Sequence, residues 1–347
     1  MRRLIYSLAL IVLYAGCVEP FEFSSAENEE LLVIEGSITQ STGTHQIMLS
    51  RTADFGAGNA KRIPGAEVTI FDDLGGSERY VELGAGVYSL RGENVQGVPG
   101  RTYFVEIRIG DDLYRSEPET MPLVQPADSV YFRVAEETEI LESGEERSDF
   151  FITIFLDSPI NPEGTSSNLR WQIEEIYSFV TLPIQPFNVI FTCYIPVPAD
   201  PQRIILADGE FIGSNRVDGF ELFKRDIFPP EQFISRHFFN VYQISQTDRA
   251  QVYWEDIQKV ANQQGTIFDP PPAPVRGNVF NVNNPDELVL GYFSAQTVDT
   301  VRTFTTPGLL EPFVVVDPCD GLDPIDLCFN CRTPQGSTLT RPSYWGD

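Results

Sequence analysis

Leu31-Leu32-Val33-Ile34-Glu35-Gly36-Ser37-Ile38, the turn Ser41-Thr42-Gly43-Thr44, and then His45-Gln46-Ile47-Met48-Leu49-Ser50 decide the fold class of this chain. The first run is apolar with partial alternation. The second alternates apolar and polar side chains, the period-two pattern of a strand that buries one face. Working outward, Ile63-Pro64-Gly65 leads into AEVTIF (66–71), which ends at the turn Asp72-Asp73-Leu74-Gly75-Gly76. GVYSL (86–90), TYFVEIRI (102–109) and LYRS (113–116) follow. Strands at roughly 8–12-residue spacing, with Gly or Pro between them, predict a β-sandwich over residues 31–120.

Met121-Pro122-Leu123-Val124-Gln125-Pro126 reads as a linker. A larger β-rich domain is expected over 127–316, with strands in SVYFRV (129–134), DFFITIFL (149–156) and ELVLGYFSA (287–295). Between the first two, Glu136 to Glu146 holds six glutamates and no base, the composition of a solvated hairpin loop. One helix is expected near 246–264. There Ala250, Tyr253, Trp254, Ile257, Val260 and Ala261 recur at helical spacing, as in a helix packed on a sheet. Ser245 or Thr247 can cap its start and Gly265 its end. Residues 317–347 form an irregular Cys-containing tail. The fold class is all-β, mainly strands with one or two helices: an N-terminal β-sandwich, then a larger β-rich domain. The 347 residues suit two or three domains at ~100–200 each.

The start of the chain reads as an export signal over residues 1–16. Arg2 and Arg3 precede an apolar stretch, Leu4 to Leu13, too short for a bilayer core that needs ~20 residues. Tyr14-Ala15-Gly16-Cys17 then sets small residues before a cysteine, the cleavage pattern of lipoproteins. Cys17 is the expected lipidation site and mature N-terminus. Two or more acyl chains, at ~0.8 kcal/mol per buried CH₂, make a stable anchor. Residues 17–30 read as the lipidated cysteine and an acidic tether. No later stretch offers 18 apolar residues in a row, so the body is expected in water and tethered.

Loss of residues 1–16 removes two arginines and no acid, taking the formal net charge from −26 to −28. Such a chain is repelled by nucleic-acid phosphates, so no nucleic acid is expected as partner.

Four further cysteines, Cys193, Cys319, Cys328 and Cys331, are an even count in an exported chain and read as disulfides. Three connectivities are open. A Cys193–Cys319 bond would close a long loop, a gain on the order of 4–5 kcal/mol in the chain-entropy model, and pin the tail to the body. Cys328-Phe329-Asn330-Cys331 also has the spacing of a redox pair or half a zinc site.

No catalytic set is assigned. Nucleophilic catalysis by Ser or Cys usually draws on a histidine base, and the chain has two histidines. His45 sits at a hairpin turn. His237 lies in the Phe-rich run Phe233 to Phe239 and reads as a packing or surface residue. Paired carboxylates could hydrolyse glycosides, but among 50 acids composition selects no pair. Asp317, Asp320, Asp323 and Asp326 recur every three residues and are a weak calcium candidate. Their spacing is not that of an EF-hand, and Pro318 and Pro324 suit an exposed loop. No cofactor is expected otherwise. Tyr and Phe are abundant, and an exposed aromatic groove would suit sugar or peptide binding.

Several short motifs, in order, resemble the Bacteroidota lipoprotein family known as domain of unknown function 4249. They begin with Cys17-Val18-Glu19-Pro20-Phe21, Leu32-Val33-Ile34-Glu35-Gly36 and Leu49-Ser50-Arg51-Thr52. Ile63-Pro64-Gly65-Ala66-Glu67-Val68 and Gly100-Arg101-Thr102-Tyr103 continue the likeness. Tyr253-Trp254, Ile267-Phe268-Asp269-Pro270-Pro271, Gly277-Asn278 and Leu290-Gly291-Tyr292-Phe293 extend it. Cys328 to Cys331 and Arg341-Pro342-Ser343-Tyr344-Trp345 close it. The resemblance implies an N-terminal sandwich similar to transthyretin-like or carboxypeptidase-regulatory-like domains, and genes beside TonB-dependent receptors. It brings no catalytic residues.

The expected function is that of a non-enzymatic outer-membrane lipoprotein at the cell surface, with the periplasmic face as the other placement. It would be a ligand-capturing or gating partner of a TonB-dependent transporter in nutrient uptake. A carboxylate-based glycan or peptide hydrolase and a structural or adhesive surface protein are the alternatives.

Overall fold

The opening hairpin forms as its alternation requires. In the computed structural model, Leu32–Ile38 pairs antiparallel with His45–Arg51, setting Ile34 opposite Leu49 and Gly36 opposite Ile47. The structure describes residues 30–53, 60–140, 146–160, 168–184, 186–208, 215–262, 273–321 and 323–346. The export signal, Cys17, the tether up to residue 29, Gly265 and the motif at 267–271 lie outside the described residues.

The hairpin belongs to a seven-stranded sheet with Lys61–Arg62, Val81–Gly84 and Val87–Leu90. A second sheet, of six strands, is built on Glu67–Asp72, Thr102–Ile109 and Asp112–Ser116. Ile34, Ile47, Leu49, Ile70, Val105 and Ile107 are fully buried in their shared core. Each such side chain stabilises the sandwich by about 2 kcal/mol.

The expected division at the linker needs correction. Val279–Asn281 pairs with Asp112–Ser116, while Val289–Leu290 and Phe293–Ala295 run parallel to Leu32–Ile38. Residues 279–295 therefore complete the first sandwich and do not belong to a separate 127–316 unit. Close approach makes this possible. A Cβ on Gly291, at φ +84°, would lie 2.1 Å from the Ile34 carbonyl oxygen, and one on Gly277 would lie 1.4 Å from that of Gly291. The linker is not loose either: Met121 and Gln125 are buried, and Gln243 donates to the Gln125 carbonyl at 2.9 Å.

The second sandwich faces Ser129–Ile140, Glu146–Pro159 and Arg216–Asp226 against a five-stranded sheet. Asn168–Val180 runs through that sheet, beside Thr192–Pro196, Ile205–Asp208, His237–Ser245 and then Thr297–Thr305. Ile152, Ile154, Leu156, Trp171, Phe239 and Val241 fill the core. Here too an expectation is corrected. Most of the acidic stretch from Glu136 is strand, since the ladder continues to Ile140↔Glu146. Cross-strand pairing and the Lys224–Glu137 ion pair hold these acids in the sheet.

The expected helix is α1, Asp248–Ala261, capped by Thr247, whose hydroxyl accepts the Ala250 N–H at 3.2 Å. Among the described residues no helix is long and apolar enough to cross a membrane. The tail is tied back by disulfides Cys193–Cys331 and Cys319–Cys328. The Cys193–Cys319 bond does not form, because Thr192–Pro196 lies next to Thr338 and Cys331. Each cysteine of the C-x-x-C bonds elsewhere, so it is neither a redox pair nor a zinc half-site. The chain-entropy model gives about 5 kcal/mol for the 138-residue separation and about 3 for the 9-residue one.

Candidate functional site

Alternation along Asn168–Val180 turns Leu169, Trp171 and Ile173 into the core and leaves Arg170, Gln172 and Glu174 on the outer face. Strand register then builds that face across the sheet. Ile244 lies opposite Arg170, Tyr242 opposite Gln172 and Asn240 opposite Glu174, with Val298, Thr300 and Arg302 on the next strand. At ~3.3 Å per residue, Arg170 and Glu174 are about 13 Å apart along the strand.

A cavity of about 680 Å³ lies on this face. Pro196, Pro198 and the tail residues Gln335 and Gly336 wall it, so the Cys193–Cys331 bond holds one of its sides in place. Inside it, the Tyr242 hydroxyl donates to Glu174 Oε2 at 2.6 Å. Burial raises the Tyr242 pKa, and the Glu174 charge adds to that.

Gln296 lines this trough and also a crevice of about 330 Å³ between the two sandwiches. One wall is the outer face of the first sheet, with Glu35, Gln46 and Met48. The other is α1 with Tyr253 and Trp254. Arg170 stands at the junction, its guanidinium 4.2 Å from the centre of the Trp254 ring. Tyr253 and Tyr292 have ring centres 4.8 Å apart. Burial, and then the Glu35 charge, push the Tyr253 hydroxyl up to about 12.

Behind Tyr292 sits Glu119, 2% exposed. Its Oε1 accepts the Tyr292 hydroxyl at 2.7 Å, and its Oε2 accepts the Thr247 hydroxyl at 2.6 Å. Arg249 comes to 3.6 Å. Burial raises its pKa against these favourable contacts. Thr247 thus caps α1 and fastens it to the first sandwich at once. Asn278 fixes the neighbouring backbone, exchanging two hydrogen bonds with Phe293 at 2.8 and 2.9 Å.

Residues singled out in the sequence mostly fall elsewhere. His45 is buried in the first sandwich, where burial lowers its pKa. His237 is fully buried, stacked between Phe233 and Phe239 at 4.7 and 4.6 Å, with Nε2 3.2 Å from Glu175 Oε2. It is a packing residue. Asp317, Asp320, Asp323 and Asp326 are not brought together. Asp317 Oδ1 accepts the Cys319 N–H at 2.8 Å, the other three are exposed, and no acidic or His/Cys cluster among the described residues is arranged for a metal. Arg170, Glu119 and Glu175 escaped the sequence reading. Arg170 carries the one usable signal, a base within an otherwise alternating strand.

Four of the motifs that carry the family resemblance meet at the crevice. Glu35 and Gly36, Tyr253 and Trp254, Tyr292, and behind it Gly277 and Asn278, come from four distant parts of the chain. A search of curated proteins finds no match to the chain. The profile of a domain of unknown function, DUF4249, matches residues 18–302, ahead of Cys319, Cys328 and Cys331 in the tail. That span takes in the first sandwich, all but the end of the second and the whole crevice, and the chain belongs to the DUF4249 family.

Proposed function

We propose that this chain is a Bacteroidota lipoprotein, anchored through Cys17 to the outer membrane and exposed at the cell surface. There it captures a ligand for a TonB-dependent transporter without transforming it. The observation that carries the capture reading is the trough and crevice: two cavities of about 680 and 330 Å³ that share Gln296 in their walls and are lined by aromatic, amide and a few charged side chains. Such concave, largely apolar sites with a few placed polar groups suit small-molecule binding, and junctions between domains favour them. Both histidines lie away from them, in cores. The anchor rests on Arg2-Arg3, the apolar run to Leu13 and Ala15-Gly16-Cys17. The transporter rests on the family resemblance.

Affinity capture of the tagged full-length chain from native outer membranes tests this reading, with radioactive palmitate supplied during growth. Labelled chain co-purifying with a receptor barrel is expected. Unlabelled chain, recovered alone, would refute it.

A carboxylate-dependent hydrolase of glycans or peptides is the second reading. Glu119 favours it, as a buried carboxyl whose raised pKa suits a general acid. Both its oxygens are engaged by Thr247 and Tyr292, which suits a structural post better. Glycan or peptide cleavage abolished by Glu119→Gln would reverse the preference.

A further inference from the structure

We propose that the crevice binds the carboxylate of a small ligand, with Arg170 as the recognising group and the Trp254, Tyr253 and Tyr292 rings packing the ligand's body. The ligand class deepens the capture reading above and depends on it for its biological role; the chemistry of the site rests on the crevice alone.

Arg170 leaves the middle of a sheet in which its directly paired positions are Ile244 on one side and Leu206 on the other, neither of them acidic. Its Nε is shut off from water and has no hydrogen-bond partner. Among the described residues no carboxylate comes within ion-pair range of it. Burial pushes its pKa down to about 10, and no acid offsets that loss. The side chain stays charged at neutral pH, a half-buried cation in a chain of formal net charge −26. The other arginines near buried acids are satisfied: Arg225 pairs with Glu175 at 2.8 Å, and Arg249 reaches Glu117 and Glu119. Arg170 alone of these faces a cavity with its donors unused.

The geometry says which kind of anion would complete it. The guanidinium carbon sits 4.2 Å over the Trp254 ring and Nε is closed off, which leaves the outer edge formed by the two terminal NH₂ groups for a ligand. That edge matches the two oxygens of a carboxylate, in paired charge-assisted bonds. Glu35 stands on the crevice wall formed by the first sandwich and opposes a second negative charge. A ligand with one carboxylate and a neutral or cationic remainder is therefore favoured over a phosphate or a polyanion. Ser294 donates to Gln296 at 3.1 Å, so the amide nitrogen of Gln296, which lines both crevice and trough, stays open to a ligand acceptor. The 680 Å³ trough has room for the rest of the molecule.

The test uses the full-length chain in a neutral detergent and two matched pairs of probes, D-glucuronate with D-glucose and phenylacetate with phenylacetamide. Calorimetric titration and tryptophan emission report binding. At least one acid is expected to bind tenfold or more tightly than its neutral counterpart. Arg170→Gln should erase that preference, and Arg170→Lys should restore only part of it. The proposal falls if neither acid binds saturably at millimolar concentration, if both members of each pair bind alike, or if a folded Arg170→Gln chain keeps the preference. The pairwise comparison on the unmodified chain decides the matter even if the variants fail to fold. Equal binding of acid and neutral probe would remove the carboxylate and leave ligand capture standing. Failure to recover a receptor would remove the transporter and leave the carboxylate site standing.

Discussion

At one end of the second sandwich, Glu175 is surrounded by nitrogen donors: Arg225 at 2.8 Å, His237 at 3.2 Å and Arg203 at 3.7 Å. At the junction of the two sandwiches, Arg170 has an aromatic ring and no acid. Both groups project from the same strand, Asn168–Val180, one to each face. Burial tends to raise the Glu175 pKa, but His237 and Arg225 outweigh it and hold the carboxyl below its usual value. Neutralisation within the protein makes the first region part of the core. The second region is incomplete by the same reckoning, and a ligand is what would complete it. Glu119 lies near that second region and resembles it, since burial has raised its pKa and hydroxyls more than cations hold it.

The largest expected effect comes from breaking the neutral cluster. Glu175→Gln leaves Arg225 and His237 facing no charge, and should cost about 3–5 kcal/mol in guanidinium unfolding. A loss below about 1 kcal/mol would put Glu175 on the same footing as Arg170. Next comes the backbone at the junction. Gly291→Ala forces a Cβ against the Ile34 carbonyl at a positive φ, and should cost about 2 kcal/mol or more by the same assay. An unchanged midpoint would mean that the return strand can leave the first sandwich freely.

The pH dependence separates the two carboxylates by sign. The folded chain holds the Glu119 proton more tightly than the unfolded chain does. Its contribution is therefore present at low pH and lost as pH rises from the ordinary value of 4.5 through the raised one. Glu175 acts oppositely: its contribution is present above 4.5 and lost as pH falls through its lowered value. Denaturation midpoints across this range should show that Glu119→Gln removes the loss on the alkaline side and spares the acid limb. The smallest effect is expected at Arg170. Arg170→Met gives up a cation–π contact but also an unpaired, half-buried charge, so thermal unfolding should change by no more than about 1 kcal/mol. A loss near that of Glu175→Gln would show that the arginine belongs to the core.

TYFVEIRI (102–109) is a strand with those same bounds, and α1 begins one residue after its threonine cap. Both follow from signals within a few residues: side-chain alternation, and a hydroxyl placed to meet free N–H groups. The all-β class, the opening hairpin and the helix could be read for that reason. The acidic stretch from Glu136 was misread because composition describes solvent exposure, and an exposed edge can still be strand. ELVLGYFSA, expected as one strand, forms two short ones, Val289–Leu290 and Phe293–Ala295, broken at Gly291, and alternation cannot say to which sheet a strand will bond. That depended on Gly277 and Gly291 lying against backbone far away in sequence.

The sequence by itself determined the all-β class, the opening hairpin, the strand at 102–109, the helix and its cap, and the family, because each is written in neighbouring residues. Only the tertiary structure decided that Cys193 meets Cys331, that residues 279–295 return to the first sandwich, and that Glu35, Arg170, Trp254 and Tyr292 share one crevice. Those side chains come together because two sandwiches dock. The charge balance of a buried group is set by what docking brings within a few ångströms, a distance that spacing along the chain does not encode.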